Sequence, residues 1–102
     1  MGNYTAKAFQ GFMKDPKQDR SSAVKVLTEA VGGTFESFYI TRGSYDFVAV
    51  TSGDMSYENF AGIKLAVEAS GTVENMVILE KIDINKAAEL AAKAMAGYKL
   101  AG

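Results

Sequence analysis

Residues 34–51, TFESFYITRGSYDFVAVT, contain two aromatic and β-branched runs, Thr34–Thr41 and Tyr45–Thr51, separated by Arg42-Gly43-Ser44. Residues of this kind suit a pleated, half-buried surface, and a short glycine-containing spacer joins such runs as an antiparallel hairpin. In the second run Asp46, Val48 and Val50 point one way while Tyr45, Phe47 and Ala49 point the other, so both faces of the strand carry apolar groups. Any sheet built on this hairpin therefore needs cover on both sides.

Upstream of the hairpin, Ala23, Val26, Leu27, Ala30 and Val31 recur at helical spacing and Gly32-Gly33 ends the pattern, which predicts a helix from Ser21. Tyr4–Gln10 alternates Tyr4, Ala6 and Ala8 against Thr5, Lys7 and Phe9, which predicts a first strand. Gly11–Arg20, polar and built around the one proline, Pro16, reads as a loop. Downstream, Asp54 or Ser56 caps a second helix with Tyr57, Phe60, Ile63 and Val67 on one face, ending at Ser70-Gly71. Thr72–Ile82 returns to strand chemistry, with Met76, Ile78 and Ile82 alternating against Val77 and Leu79. Asp83 or Asn85 then caps an alanine-rich helix that runs to about Tyr98.

The resulting order, β-α-β-β-α-β with an added C-terminal helix, is the α+β, ferredoxin-like arrangement of an antiparallel four-stranded sheet with helices on one face. Residues 1–102 are expected to form a single domain, with 84–102 as a C-terminal helical extension. Two helices cover one face, and leaving large apolar side chains of the other in water forfeits about 1.5–3 kcal/mol each. A homo-oligomer is therefore expected, a dimer packed sheet to sheet. The alternative is a C-terminal helix folded back over the second face, although it offers little beyond Leu90, Met95 and Tyr98 among its alanines.

Composition narrows the chemistry. The 102 residues are 48% hydrophobic and 23% charged, with a formal net charge of −1 and no run of either sign, so neither nucleic acid nor membrane is an expected partner. Cys and His are absent, which removes thiolate and imidazole chemistry and leaves carboxylates, Tyr, Lys, Arg, Ser and Thr. Met1–Gln10 has no continuous apolar core of a signal sequence, and the cytoplasm is the expected location. Glu36, Asp46, Glu74 and Glu80 are scattered strand carboxylates of the kind that form solvated edges, so no metal and no cofactor is expected.

The most distinctive polar cluster is Arg42, Gly43, Ser44, Tyr45 and Asp46 at the hairpin. Arg42 could bind an anion, Tyr45 donate a hydrogen bond and Asp46 act as a base or orient a partner. Turn chemistry offers a structural reading of the same residues: Gly43 supplies a positive φ, Tyr45 packs across the sheet, and Asp46 pairs with Arg42 or Lys81 or caps backbone amides.

Gly43-Ser44-Tyr45-Asp46 followed by Phe47-Val48-Ala49-Val50 resembles the signature of the GYD family, small bacterial and archaeal proteins marked by a Gly-x-Tyr-Asp-like motif before a hydrophobic strand. The likeness extends over about residues 1–90, through the glycine-rich turn Val31-Gly32-Gly33 and a last strand beginning near Gly71-Thr72-Val73. It implies a dimeric α+β barrel of ferredoxin-like subunits and marks Gly43, Tyr45 and Asp46. The chain departs from the family in the loop Gly11–Arg20 and in the alanine-rich extension after about Ala87.

The function expected is a homo-oligomeric small-molecule binding or sensing module, with an apolar or aromatic ligand held by Arg42, Tyr45 and Asp46. The alternatives are a cofactor-free enzyme of isomerase or oxygenase type, with Asp46 as base and Tyr45 as acid, and a ligand-free structural assembly subunit.

Overall fold

The protein is described by a computed structural model over residues 1–98. The chain runs β1 (Asn3–Tyr4), α1 (Ala6–Lys14), α2 (Arg20–Ala30), β2 (Thr34–Ile40), β3 (Phe47–Ser52), α3 (Tyr57–Ala69), β4 (Val73–Glu74) and α4 (Ile84–Gly97). None of the helices among the described residues is long and apolar enough to cross a membrane.

β2 and β3 pair antiparallel as the hairpin pattern requires, from Ile40 opposite Phe47 to Thr34 opposite Ser52, with one irregularity between Phe35 and Ser37. β1 and β4 make a second, shorter antiparallel pair, Asn3 with Glu74 and Tyr4 with Val73. A single antiparallel bridge between Gly2 and Phe47 joins the two ladders edge to edge, so a mixed α+β architecture holds two small sheets where one continuous sheet was expected. The joint is tight because Gly2 lacks a side chain. A Cβ there would lie 2.8 Å from Phe47 Cζ and 3.2 Å from Val73 Cγ1.

Three sequence expectations change. Ala6–Lys14 is a helix, not the body of a first strand. Seven alternating residues do not separate a period of 2 from one of 3.6, and continued to Lys14 the apolar residues Ala8, Phe9, Phe12 and Met13 recur at helical spacing. Thr5 caps this helix, its Oγ1 accepting from the Ala8 N–H, and the loop shrinks to residues 15–19, where Gln18 Nε2 donates to the Gly11 carbonyl at 3.1 Å. In α2 the inward face is rotated: Thr28 is buried and Val24, Leu27 and Val31 are half-buried beside it, while Val26 is 68% exposed. The last strand stops at Glu74, because Asn75 takes a positive φ of 53° and the Met76 N–H turns to Glu68 Oε1 on α3. Pairing resumes for one residue only, where the Val77 N–H donates to the Met1 carbonyl at 2.8 Å.

The core forms where the two ladders meet. Tyr4, Phe47 and Val73 are buried together, with Ala8 and Phe12 of α1, Phe38 of β2, Val67 of α3 and Met76 packed against them. Tyr4 meets Phe12 edge-on at 5.1 Å between ring centroids, and Phe38 stacks on Phe47 at 6.0 Å, geometries that aromatic quadrupoles favour. The opposite face of the hairpin, where Tyr39 pairs with Val48 and Ser37 with Val50, is open: Tyr39 is 58% and Val50 44% exposed. The fold-back of the C-terminal helix does not occur. α4 has no buried residue, and the Cα radius of gyration is 18.3 Å against about 13 Å for a compact chain of this length.

Phe47→Ala is expected to lower unfolding free energy by about 3–5 kcal/mol in urea titration, and Gly2→Ala by about 1–3 kcal/mol through overpacking against the same ring. Val26→Ala, on the exposed side of α2, is expected to stay within about 0.5 kcal/mol.

Candidate functional site

The hairpin residues converge on the junction between the ladders. The Thr41 N–H donates to the Asp46 carbonyl at 2.8 Å, and Thr41 Oγ1 donates to the Tyr45 carbonyl at 2.6 Å, which closes the turn. Gly43 takes φ of 134° inside it, a backbone region that favours glycine. Arg42, Gly43 and Ser44 are exposed at the tip, and Tyr45 and Asp46 are half-buried.

Asp46 faces β1. Its Oδ2 accepts from the Tyr4 N–H at 2.8 Å and from Asn3 Nδ2 at 3.4 Å, while Asn3 Nδ2 also donates to the Ser44 carbonyl at 3.1 Å. The Asp46 N–H in turn donates to the Gly2 carbonyl at 2.9 Å. A carboxylate thus takes the place of a backbone acceptor at the start of the core, which accounts for an aspartate within a hydrophobic strand. Of the structural alternatives considered for Asp46, capping a backbone amide is the one the geometry realises.

Tyr4, whose amide Asp46 binds, is itself shaped by this environment. Burial pushes its phenol above the ordinary tyrosine range, and the nearby Arg20 guanidinium partly opposes that. An acid raised in the folded state contributes stability that is complete below the unfolded value and fades as pH rises through the folded one.

A second region has the shape of a pocket. α3 presents Tyr57, Phe60 and Lys64 on one face, residues 76–80 present Met76, Ile78 and Glu80 on alternate positions, and with Met55 they line a cleft of about 220 Å³. The Glu68 carboxylate, hydrogen-bonded to the Met76 N–H at 3.2 Å, fixes the spacing of the two walls. Lys64 also borders a second, larger and more polar hollow of about 500 Å³, with Thr5, Glu68, Gly71, Val73, Glu74 and Asn75. None of Arg42, Gly43, Ser44, Tyr45 and Asp46 lines either space.

In the sequence the residues of the cleft carry other signals: Tyr57 and Phe60 belong to the apolar face of a helix and Met76 and Ile78 to a strand pattern, and Lys64 and Glu80 become their polar companions only once α3 lies along residues 76–80. Among the described residues no group of three or more Asp and Glu side chains converges as a metal site.

An α+β domain whose Gly-x-Tyr-Asp hairpin clamps its first strand is the class that these features define. The model of the GYD domain matches residues 1–91, and the chain belongs to that family. No curated protein and no solved structure matches the chain significantly.

Asp46→Ala leaves the half-buried Tyr4 N–H without its acceptor and is expected to cost about 1–3 kcal/mol, whereas Asp46→Asn, which keeps a side-chain oxygen, should cost less than half as much in the same urea titration. Tyr4→Phe should flatten the fall in stability that begins above about pH 10, a change readable from thermal melts across the alkaline limb.

Proposed function

We propose that the protein is a homo-oligomeric module that binds a small apolar or aromatic molecule with one polar end, in the cleft between α3 and residues 76–80. The observation that carries this reading is the composition of the cleft: apolar walls from Met55, Tyr57, Phe60, Met76 and Ile78, with Lys64 and Glu80 as its charges. Binding sites for small molecules have this character, a mostly apolar concavity with a few orienting polar groups. At about 220 Å³ the space suits a single-ring molecule, below the roughly 300–1,000 Å³ of sites for larger ligands. The Lys64 ammonium is suited to a carboxylate or phenolate on such a ring.

Binding is favoured over turnover because Asp46 and Tyr45, the base and acid that a cofactor-free isomerase or oxygenase would use, do not line the cleft. On the assembly side, the open face bearing Tyr39, Val48 and Val50 supplies the contact for a second copy. In that dimer the ladders, adjacent through Gly2 and Phe47, act together as one ferredoxin-like sheet, and two such sheets enclose an α+β barrel.

Benzoate titration followed by amide NMR tests the cleft. Shifts are expected at Phe60, Lys64 and Met76, with Lys64→Glu weakening binding about tenfold, the equivalent of about 1.4 kcal/mol. Shifts confined to residues 42–46, or an affinity indifferent to Lys64→Glu, would move the ligand to the hairpin and overturn this assignment.

A further inference from the structure

We propose that α4 is an association helix that pairs antiparallel with α4 of a second copy of this chain, through an interface separate from the open sheet face. The helix is capped by Asp83, whose Oδ1 accepts from the Asn85 and Lys86 N–H groups at 3.0 and 3.2 Å, so it has a defined start although nothing in its own chain buries it. Ile84, Ala87, Ala91, Ala94 and Tyr98 recur at alternating intervals of three and four, the spacing of a helix–helix seam, and Lys86, Glu89 and Lys93 fall on the opposite side. An isolated helix of 14 residues is marginal in water without packing on its apolar face.

The accessible surface gives the reason for choosing a second copy. It is 7788 Å², against roughly 5,600 Å² for a compact monomer of 10.9 kDa. The excess of about 2,200 Å² is well above the roughly 800 Å² that one standard interface removes from each partner. One sheet-face contact therefore leaves surface for another, and α4 is the largest element with no cover.

The seam is also complementary to itself. Run antiparallel, Ile84 lies over the partner's Ala94, and Ala87 over the partner's Ala91, so the one branched residue meets a small one and the alanines allow axes about 8 Å apart. Opposed helix dipoles favour the same direction. Antiparallel pairing further sets the two bodies at opposite ends of a helix about 21 Å long, whereas parallel pairing brings them together at one end. Two isologous contacts, one through the sheet and one through α4, build an assembly larger than a dimer.

The absence of native cysteine makes cross-linking decisive. Full-length Ile84→Cys and Ala94→Cys proteins, each oxidised alone, are expected to stay single on a non-reducing gel. Oxidised as a mixture, they should yield a species of twice the mass. Cross-linking of either variant by itself would show parallel pairing and overturn the proposal, as would the absence of product from the mixture. In light scattering, Ala91→Glu is expected to halve the assembly mass while leaving the helical circular dichroism of the body intact; an unchanged mass would also overturn it. Val50→Asp separately probes the sheet face, and loss of that contact leaves the Ile84→Cys and Ala94→Cys cross-link in place, so failure of one interface is distinguishable from failure of the other.

Discussion

The contact on which the rest of this structure depends is the hydrogen bond from the Tyr4 N–H to the Asp46 carboxylate, made beside the Gly2–Phe47 bridge. β1 is only two residues long and pairs with an equally short β4, so the ladder between them holds little by itself. Asp46 anchors β1 to the longer hairpin, and with β1 comes the Tyr4 ring, around which Phe12, Phe47 and Phe9 gather. The polar contact sets the position, and the burial of aromatic surface supplies the larger share of the free energy. The charge-assisted acceptor suits this place because a half-buried amide without a partner would cost as much as the bond contributes.

This arrangement puts the hairpin motif and the concavity in different parts of the fold. The hairpin motif serves the joint between the ladders, and the concavity lies elsewhere, between α3 and the chain after β4. The irregularity at Asn75 connects them. By turning the Met76 N–H to Glu68 it ends the ladder early and lays Met76 and Ile78 along α3, where they become a wall of the cleft. A regular strand from Thr72 to Ile82 would have directed that backbone amide to a ladder partner.

The elements that were legible in the sequence were those with strong local signals. The hairpin was readable because aromatic and β-branched runs flank a glycine spacer, and α3 and α4 because Ser56 and Asp83 cap regular apolar patterns. α1 has the look of a strand in sequence because a short window of alternating residues satisfies two periods. The buried side of α2 is hidden from the sequence because Val26 outranks Thr28 in hydrophobicity, yet Thr28 bonds its own hydroxyl back to the Val24 carbonyl at 2.8 Å and fits the space over Gly33. The cleft was illegible because its two walls are separated in sequence and meet only through the packing of α3.

By itself the sequence determined the chemistry available, without imidazole or thiol, the hairpin with apolar groups on both of its faces, and the capped helices. These follow from composition and from spacings within one element, where each residue's neighbours are set by the chain. The tertiary structure decided which acceptor the Tyr4 amide finds, which face of α2 turns inward, where the cleft opens and that α4 stands away from its own body. Those outcomes depend on contacts between residues far apart in the chain, and local periodicity carries no information about which distant group arrives.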